Sequence, residues 1–198
     1  MDDGRRHNTD GRIARGERTR EAIVAAHADL LRSGVLKPTG KLIAERAGIS
    51  LRTLWLNFKD LEAVLVATTA HWLDADAALH REVDPALPLD RRIDEHLQQR
   101  VPRLEHLAPA ARSAALGEPF SPALQASRAA HVRRATDDLE ATFATELDAA
   151  GADRELLLSS LFVATSWPTW TTLRDDLGLD VTAATTVVRR GLESLLRT

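Results

Sequence analysis

The chain of 198 residues contains no cysteine. That absence removes disulfides, thiolate nucleophiles and every cysteine-containing zinc site, and it suits a reducing compartment, so a cytoplasmic location is expected. The opening residues MDDGRRHNTDGRIARG hold no apolar core of a signal peptide. Nor does any apolar run approach the roughly 18 residues of a membrane span, so neither export nor a membrane partner is expected. No convincing run of strict apolar/polar alternation occurs, which leaves little room for half-buried strands. Lysine is scarce, 3 against 23 arginines, a bias that reads as nucleotide composition more than chemistry.

Catalytic signatures are missing too. No G-x-S-x-G, phosphate loop or dinucleotide fingerprint is present. The histidines at 71, 80, 96, 106 and 131 are scattered, with no two at i+3 or i+4 and no glutamate three residues before one. Neither a metalloprotease helix nor a di-iron bundle is therefore encoded. The pairs Asp137-Asp138 and Asp175-Asp176 sit among charged residues and read as solvated helix faces. No catalytic residue, metal or cofactor is expected, and the chain does not read as an enzyme.

What remains is helical period. At this length the chain suits one sizeable domain or a small head on a larger body, with enough core to dispense with staples. Residues 1–16 offer almost nothing to bury and read as a disordered basic arm, from which Arg5, Arg6, Arg12 and Arg15 could touch phosphates. A first helix is expected over 17–33, stopping at Gly34, a second from an N-cap at Thr39 through Ala47, and a third from an N-cap at Ser50 to about Asn57. Asp60 can cap a long connecting helix. In the body, DPALPLD breaks the chain at 84–90, and helix follows over about 89–107 with a kink at Pro102. A long helix is expected over 122–149, then a final pair over 153–177 and 180–196. The last helix carries Val181, Ala184, Val188, Leu192 and Leu195 as an apolar stripe. Pro168, inside TSWPTW, should bend its helix and free a carbonyl for a cavity or a partner. The fold class is all-α.

Charge divides along the chain. Residues 1–60 hold 12 Lys and Arg against 8 Asp and Glu, while residues 61–198 hold 14 against 21. A basic head on an acidic body is the asymmetry expected when only the head meets a polyanion.

The segment ERAGISLRTLWLNF carries the most information. A helix-turn-helix needs a small residue where its helices cross, a turn residue able to take positive φ, and an apolar lock. Ala44, Gly48 and the set Ile43, Ala47, Ile49 and Leu54 meet these needs, with Ile23, Leu31 and Phe58 closing a three-helix core. Once Leu54 and Phe58 point inward, Leu51, Arg52, Trp55, Leu56 and Asn57 are left for the outward face.

From RTREAIVAAHADLLRSG through TGKLIAERAGISLRTLWLNFKDLEAVL the chain resembles the DNA-binding head of the TetR family of transcriptional regulators, with its approximate pattern T-x-x-x-I-A-x-x-A-G-V-S-x-x-x-L-Y-x-H-F. The resemblance spans about 50 residues in motif and the whole chain in architecture. It implies a helix-turn-helix DNA-binding domain over 17–60 and a ligand-binding and dimerisation domain over 61–198. Thr39 would meet a phosphate as well as cap its helix, Ser50, Leu51 and Thr53 would open the reading helix, and Arg52 would reach base edges. An arginine there can pair bidentately with guanine. Lys41 and Lys59 would add phosphate contacts. Trp55 stands for the family's Tyr, Asn57 for its His and Leu61 for its Lys, and Gly40 replaces a packing residue.

The same resemblance implies a homodimer that binds an operator in double-stranded DNA, represses, and is released by a small molecule. Trp72, Phe120, Phe143, Phe162, Trp167 and Trp170 are the expected pocket residues. The expected dimer contacts are Leu161, Val188, Leu192 and Leu195. An all-α small-molecule-binding protein or enzyme without a DNA-binding role is the alternative.

Overall fold

The structure, a computed structural model, describes residues 3–197. Among these residues it is helical throughout, with no strand. In chain order the helices are α1 (Asp3–Arg32), α2 (Gly40–Arg46), α3 (Leu51–Asn57), α4 (Leu61–Leu79), α5 (Leu89–Gly117), α6 (Pro122–Thr142), α7 (Ala144–Ala149), α8 (Arg154–Ala164), α9 (Trp167–Thr171) and α10 (Val181–Leu196). A short π-turn, Thr172–Asp176, extends α9. No helix among the described residues is long and apolar enough to cross a membrane.

Two compact units emerge. The first comprises the described residues up to Asp74 together with Pro109–Ser127, the second Ala75–Ala108 together with the residues from Arg128 onward. The division therefore differs from a simple boundary at residue 60, because α4, α5 and α6 each run from one unit into the other.

In the first unit Ile23, Val24, Leu30, Ile43, Ala44, Leu54, Phe58 and Val64 form one buried cluster. Leu30 takes the place expected of Leu31, which is just as buried but lies outside this cluster. Ser113 Oγ donates to the Leu36 carbonyl at 2.9 Å, and Ser121 Oγ to Glu62 Oε1 at 2.6 Å, tying the 109–127 hairpin into the unit. The second unit is built on Ile93, Leu97, Leu104, Leu139, Phe143, Leu161, Trp170, Val188 and Leu192 among others.

Three sequence expectations need correction. The arm at 1–16 is helical from Asp3 onward, continuing α1: extending an existing helix adds one hydrogen bond per residue fixed, with no new nucleus to form. Its residues 1 and 2, and the side chains of Arg5, Arg6 and Arg12, lie outside the described residues, while Arg15 is exposed. The helix expected over about 89–107 runs on to Gly117, with Leu97, Val101 and Leu104 on either side of Pro102 buried in the core. The long helix expected over 122–149 breaks at Phe143 (φ −118°, ψ 27°), whose ring is fully buried.

Candidate functional site

The first unit presents two short capped helices around a tight turn. Thr39 Oγ1 accepts the Leu42 amide at 3.3 Å, starting α2, and Ser50 Oγ accepts the Thr53 amide at 3.0 Å, starting α3. Between them Gly48 takes φ +67°, a left-handed conformation with low cost only for a residue lacking Cβ. The Ile49 amide then reaches back to the Ala44 carbonyl at 3.0 Å and closes the end of α2. Seven residues are too few for a helix to hold alone, so burial of Leu54 and Phe58 fixes α3 in place. Arg20 locks the far end: its guanidinium sits 4.0 Å above the Phe58 ring and donates to the Asn57 carbonyl at 2.8 Å.

With Leu54 inward, Leu51, Arg52, Trp55 and Leu56 of α3 are exposed. Thr53 and Asn57 are half-buried and used within the helix, Thr53 bonding Ser50 Oγ at 2.8 Å and Asn57 Nδ2 donating to the Thr53 carbonyl at 2.8 Å. Asn57 thus supports the end of α3 instead of projecting from it. Lys41 lies 3.9 Å from Glu45 and Lys59 3.7 Å from Asp60, both exposed pairs of the kind worth little in water and readily exchanged for another anion. Asp60 also caps α4, accepting the Ala63 amide at 2.7 Å.

Trp55 is not simply an outward side chain. It remains 41% exposed, yet a Cβ added at Gly40 would lie 2.5 Å from Trp55 Cζ2 and 2.9 Å from Cη2. The indole therefore lies across the first residue of α2, next to the Thr39 cap. The two departures noted in the sequence, Gly40 and Trp55, are one packing solution: the larger ring fits because the residue beneath it has no side chain.

No family model, curated relative or solved structure matches this chain.

The six aromatic residues expected to line a pocket are not brought together. Phe143 and Trp170 are buried in the core of the second unit, with Phe162 and Trp167 partly buried against it. Trp72 belongs to the first unit, buried beneath the Arg32 guanidinium at 5.0 Å. Phe120, in the same unit, is 85% exposed at a cavity of about 440 Å³ whose wall includes Leu65, Leu116, Leu124, Lys37 and Thr39. A second depression, about 550 Å³, lies in the second unit against Leu156, Leu157, Leu195 and Leu196.

The expected dimer contacts also need correction. Leu161, Val188 and Leu192 are buried in their own chain's core, because the stripe on α10 packs on α5 and α8 partners of the same cluster; Leu195 is partly buried there. A face already covered within the chain cannot meet a second copy. The large apolar residues left outside on these helices are Leu156 and Val163 of α8 and Val181 and Val187 of α10. Gly191 and Ala164 mark where α10 and α8 approach, an added Cβ at 191 lying 4.0 Å from that of Ala164.

The second unit contains a buried polar cluster that spacing alone did not reveal. Arg103 donates from Nε and Nη2 to the two oxygens of Asp76 at 2.8 and 2.9 Å, and His80 Nε2 lies 2.9 Å from Asp138 Oδ1. Asp138 is accordingly not on a solvated face. The Arg103 guanidinium outweighs burial and holds the Asp76 carboxyl below its usual range, whereas burial holds that of Asp138 above it. Arg100 Nε donates to the Thr165 carbonyl at 3.0 Å, in the break between α8 and α9, where Pro168 sits in the first turn of α9. Nearby, Arg92 forms a bidentate pair with Glu146 at 2.7 and 2.6 Å. His96, Arg100 and Arg103 fall at i, i+4 and i+7 of α5, directly beside the apolar stripe. That basic repeat in an acidic half was the available signal.

Proposed function

We propose that the chain is a TetR-type transcriptional repressor that binds a pseudo-palindromic operator as a homodimer and is released by a small molecule. The observation that carries this reading is α3: a short helix, capped at Ser50 and pinned by Leu54, Phe58 and Arg20, that turns Leu51, Arg52, Trp55 and Leu56 outward. Arg52 supplies the bidentate donor suited to guanine in the major groove, and Lys41 and Lys59 the positioning contacts to phosphate. Thr39 spends one lone pair on its own helix and keeps another acceptor and its O–H for a phosphate. The indole N–H of Trp55 takes the donor role of a tyrosine hydroxyl at a different reach.

Two copies would meet through the outer faces of α8 and α10, where Leu156, Val163 and Val187 lie uncovered. Two-fold symmetry then sets the reading helices about one helical turn of DNA apart. A ligand that prefers the conformation with wrongly spaced heads must release the operator, since only differential affinity moves such an equilibrium. The helix α4, continuous between the units, is the natural lever.

A mobility-shift titration on the DNA flanking the chain's own gene, run at rising salt, tests the reading. Binding at low salt that weakens steeply with salt is expected, and Arg52→Ala should lose about 1–3 kcal/mol of discrimination at one base pair. Failure to bind any DNA at low salt would sink it. The second reading, a small-molecule-binding protein or enzyme with no DNA role, draws on Leu61, which exposes an aliphatic side chain where the family carries a cation. It predicts that Arg52→Ala changes nothing the second unit does.

A further inference from the structure

We infer that the buried cluster around Arg100 and His96 is the effector site, and that it takes a small organic monoanion whose carboxylate sits on Arg100. This deepens the regulator reading and rests on it for the word effector; the binding itself does not.

Arg103 is matched by Asp76 at hydrogen-bond distance, with Asp138 3.8 Å from its Nη1, and Asp138 also meets His80. Arg100, only 3% exposed, has no such contact: its Nε donates to a neutral carbonyl, and among the described residues no carboxylate lies in ion-pair contact with it. Burial first, then the like charge of Arg103, pull its guanidinium down to about 10 against the longer-range attraction of Asp76 and Asp138. A buried cation with no carboxylate in direct contact is costly, and a second cation close by makes it costlier.

Hydrogen-bonding capacity leads to the same place. His96, four residues before Arg100 on α5 and 1% exposed, leaves both ring nitrogens without a partner. His131 Nδ1 is likewise buried without a hydrogen bond, as is Arg103 Nη1, whose nearest carboxylate oxygen, on Asp138, is 3.8 Å away. Burial above all holds His96 near 3 and His131 near 4, so both imidazoles are neutral at physiological pH, each offering one donor and one acceptor. Four polar atoms without a hydrogen bond beside a cation with no carboxylate in contact are rare in a folded interior, where such groups almost always have partners. The cluster is no cation site: among the described residues no three His, Asp or Glu converge to hold a metal, and two arginines lie within it. The surroundings also suit a carbon skeleton, since the Phe143 ring stands edge-on to His96 with centroids 5.7 Å apart and Leu104 and Leu139 share its cluster. An anion that is apolar beyond its carboxylate fits all of these demands, and a neutral molecule leaves Arg100 unpaired.

Thermal unfolding of the purified full-length chain at fixed ionic strength tests this, with sodium benzoate and sodium octanoate as probes and benzamide and octanamide as uncharged counterparts. At least one carboxylate should raise the midpoint saturably, by about 5 °C at a hundredfold excess over its Kd, while its amide does not. Arg100→Met should abolish the response and, having removed an unpaired buried charge, unfold no earlier than the parent without ligand. Should that variant fail to fold, His96→Leu carries the test, with an expected affinity loss of tenfold or more. The inference is overturned if neither carboxylate stabilises the chain, if amide and carboxylate act alike, or if the foldable variant binds as the parent does. Operator binding is scored separately by mobility shift. A chain that binds DNA but no carboxylate keeps the regulator reading and loses this one, and the reverse result does the opposite.

Discussion

In the first unit the buried polar groups among the described residues are His27, Thr68, Ser113 and Ser121, all uncharged at neutral pH, and they sit among Ile23, Leu30, Leu54 and Phe58. In the second, Asp76, Arg92, Arg100 and Arg103 are drawn inside among leucines. One unit keeps its charges on the outside, where a polyanion could use them; the other spends several of them on its interior. Charge inside a core stabilises little relative to an apolar core, but it makes the core sensitive to whatever completes or breaks the pairing.

Acid gives the largest expected break in that comparison. Burial holds His96 near 3 and His27 and His131 near 4, against about 6.5 when unfolded. Each stays neutral in the folded chain and gains its proton only on unfolding, so stability is full above about pH 6.5 and falls as pH drops toward the folded values. Urea unfolding should show a loss of about 2 kcal/mol per histidine by about pH 5. His96→Leu and His131→Leu remove the second unit's share and His27→Leu the first's; equal stability at both pH values would contradict the burial of all three.

Next in size is Asp76→Ala, which strands Arg103 without its carboxylate. A cost of about 3–5 kcal/mol is expected from denaturant midpoints. Swapping both residues for apolar ones should recover most of it, and a cost that remains would mean the pair does more than match charge. Ser50→Ala, by contrast, removes one cap on the outside of the first unit and should cost about 1 kcal/mol. Smallest is Gly40→Ala. Because the clash meets the outer rim of a part-exposed indole, the ring can swing aside, so a loss under about 1 kcal/mol is expected, together with a clear change in Trp55 fluorescence and weaker operator binding. Unchanged emission would show that the ring does not rest on residue 40.

The first unit was largely legible because its determinants are local. Thr39, Ser50 and Asp60 cap the helices that follow them, Gly48 makes the turn, and Leu54 and Phe58 point inward, all within a few residues of the elements they define. The second unit was legible only in part. The stripe on α10 was readable, but not what covers it, and Leu161, Val188 and Leu192 turned out to be covered by their own chain. Histidines 80, 96 and 131 look scattered along the chain because what gathers them with Asp76 and Asp138 is packing between distant helices. Spacing records one helix face at a time; pairs such as Arg92 with Glu146, 54 residues apart, leave no trace in it. For the same reason the far end of α5, at Gly117 and not near 107, was not legible.

The contact between Gly40 and Trp55 limits how portable α3 is. Moved to another scaffold, that helix would not be self-contained. A recipient with a side chain at the position of Gly40 would push the tryptophan off the seat it has here, and this chain, given a smaller aromatic at 55, would have a gap beneath it. The two positions must travel together, and the order in which they change matters: glycine first leaves a tolerable void, tryptophan first meets a collision.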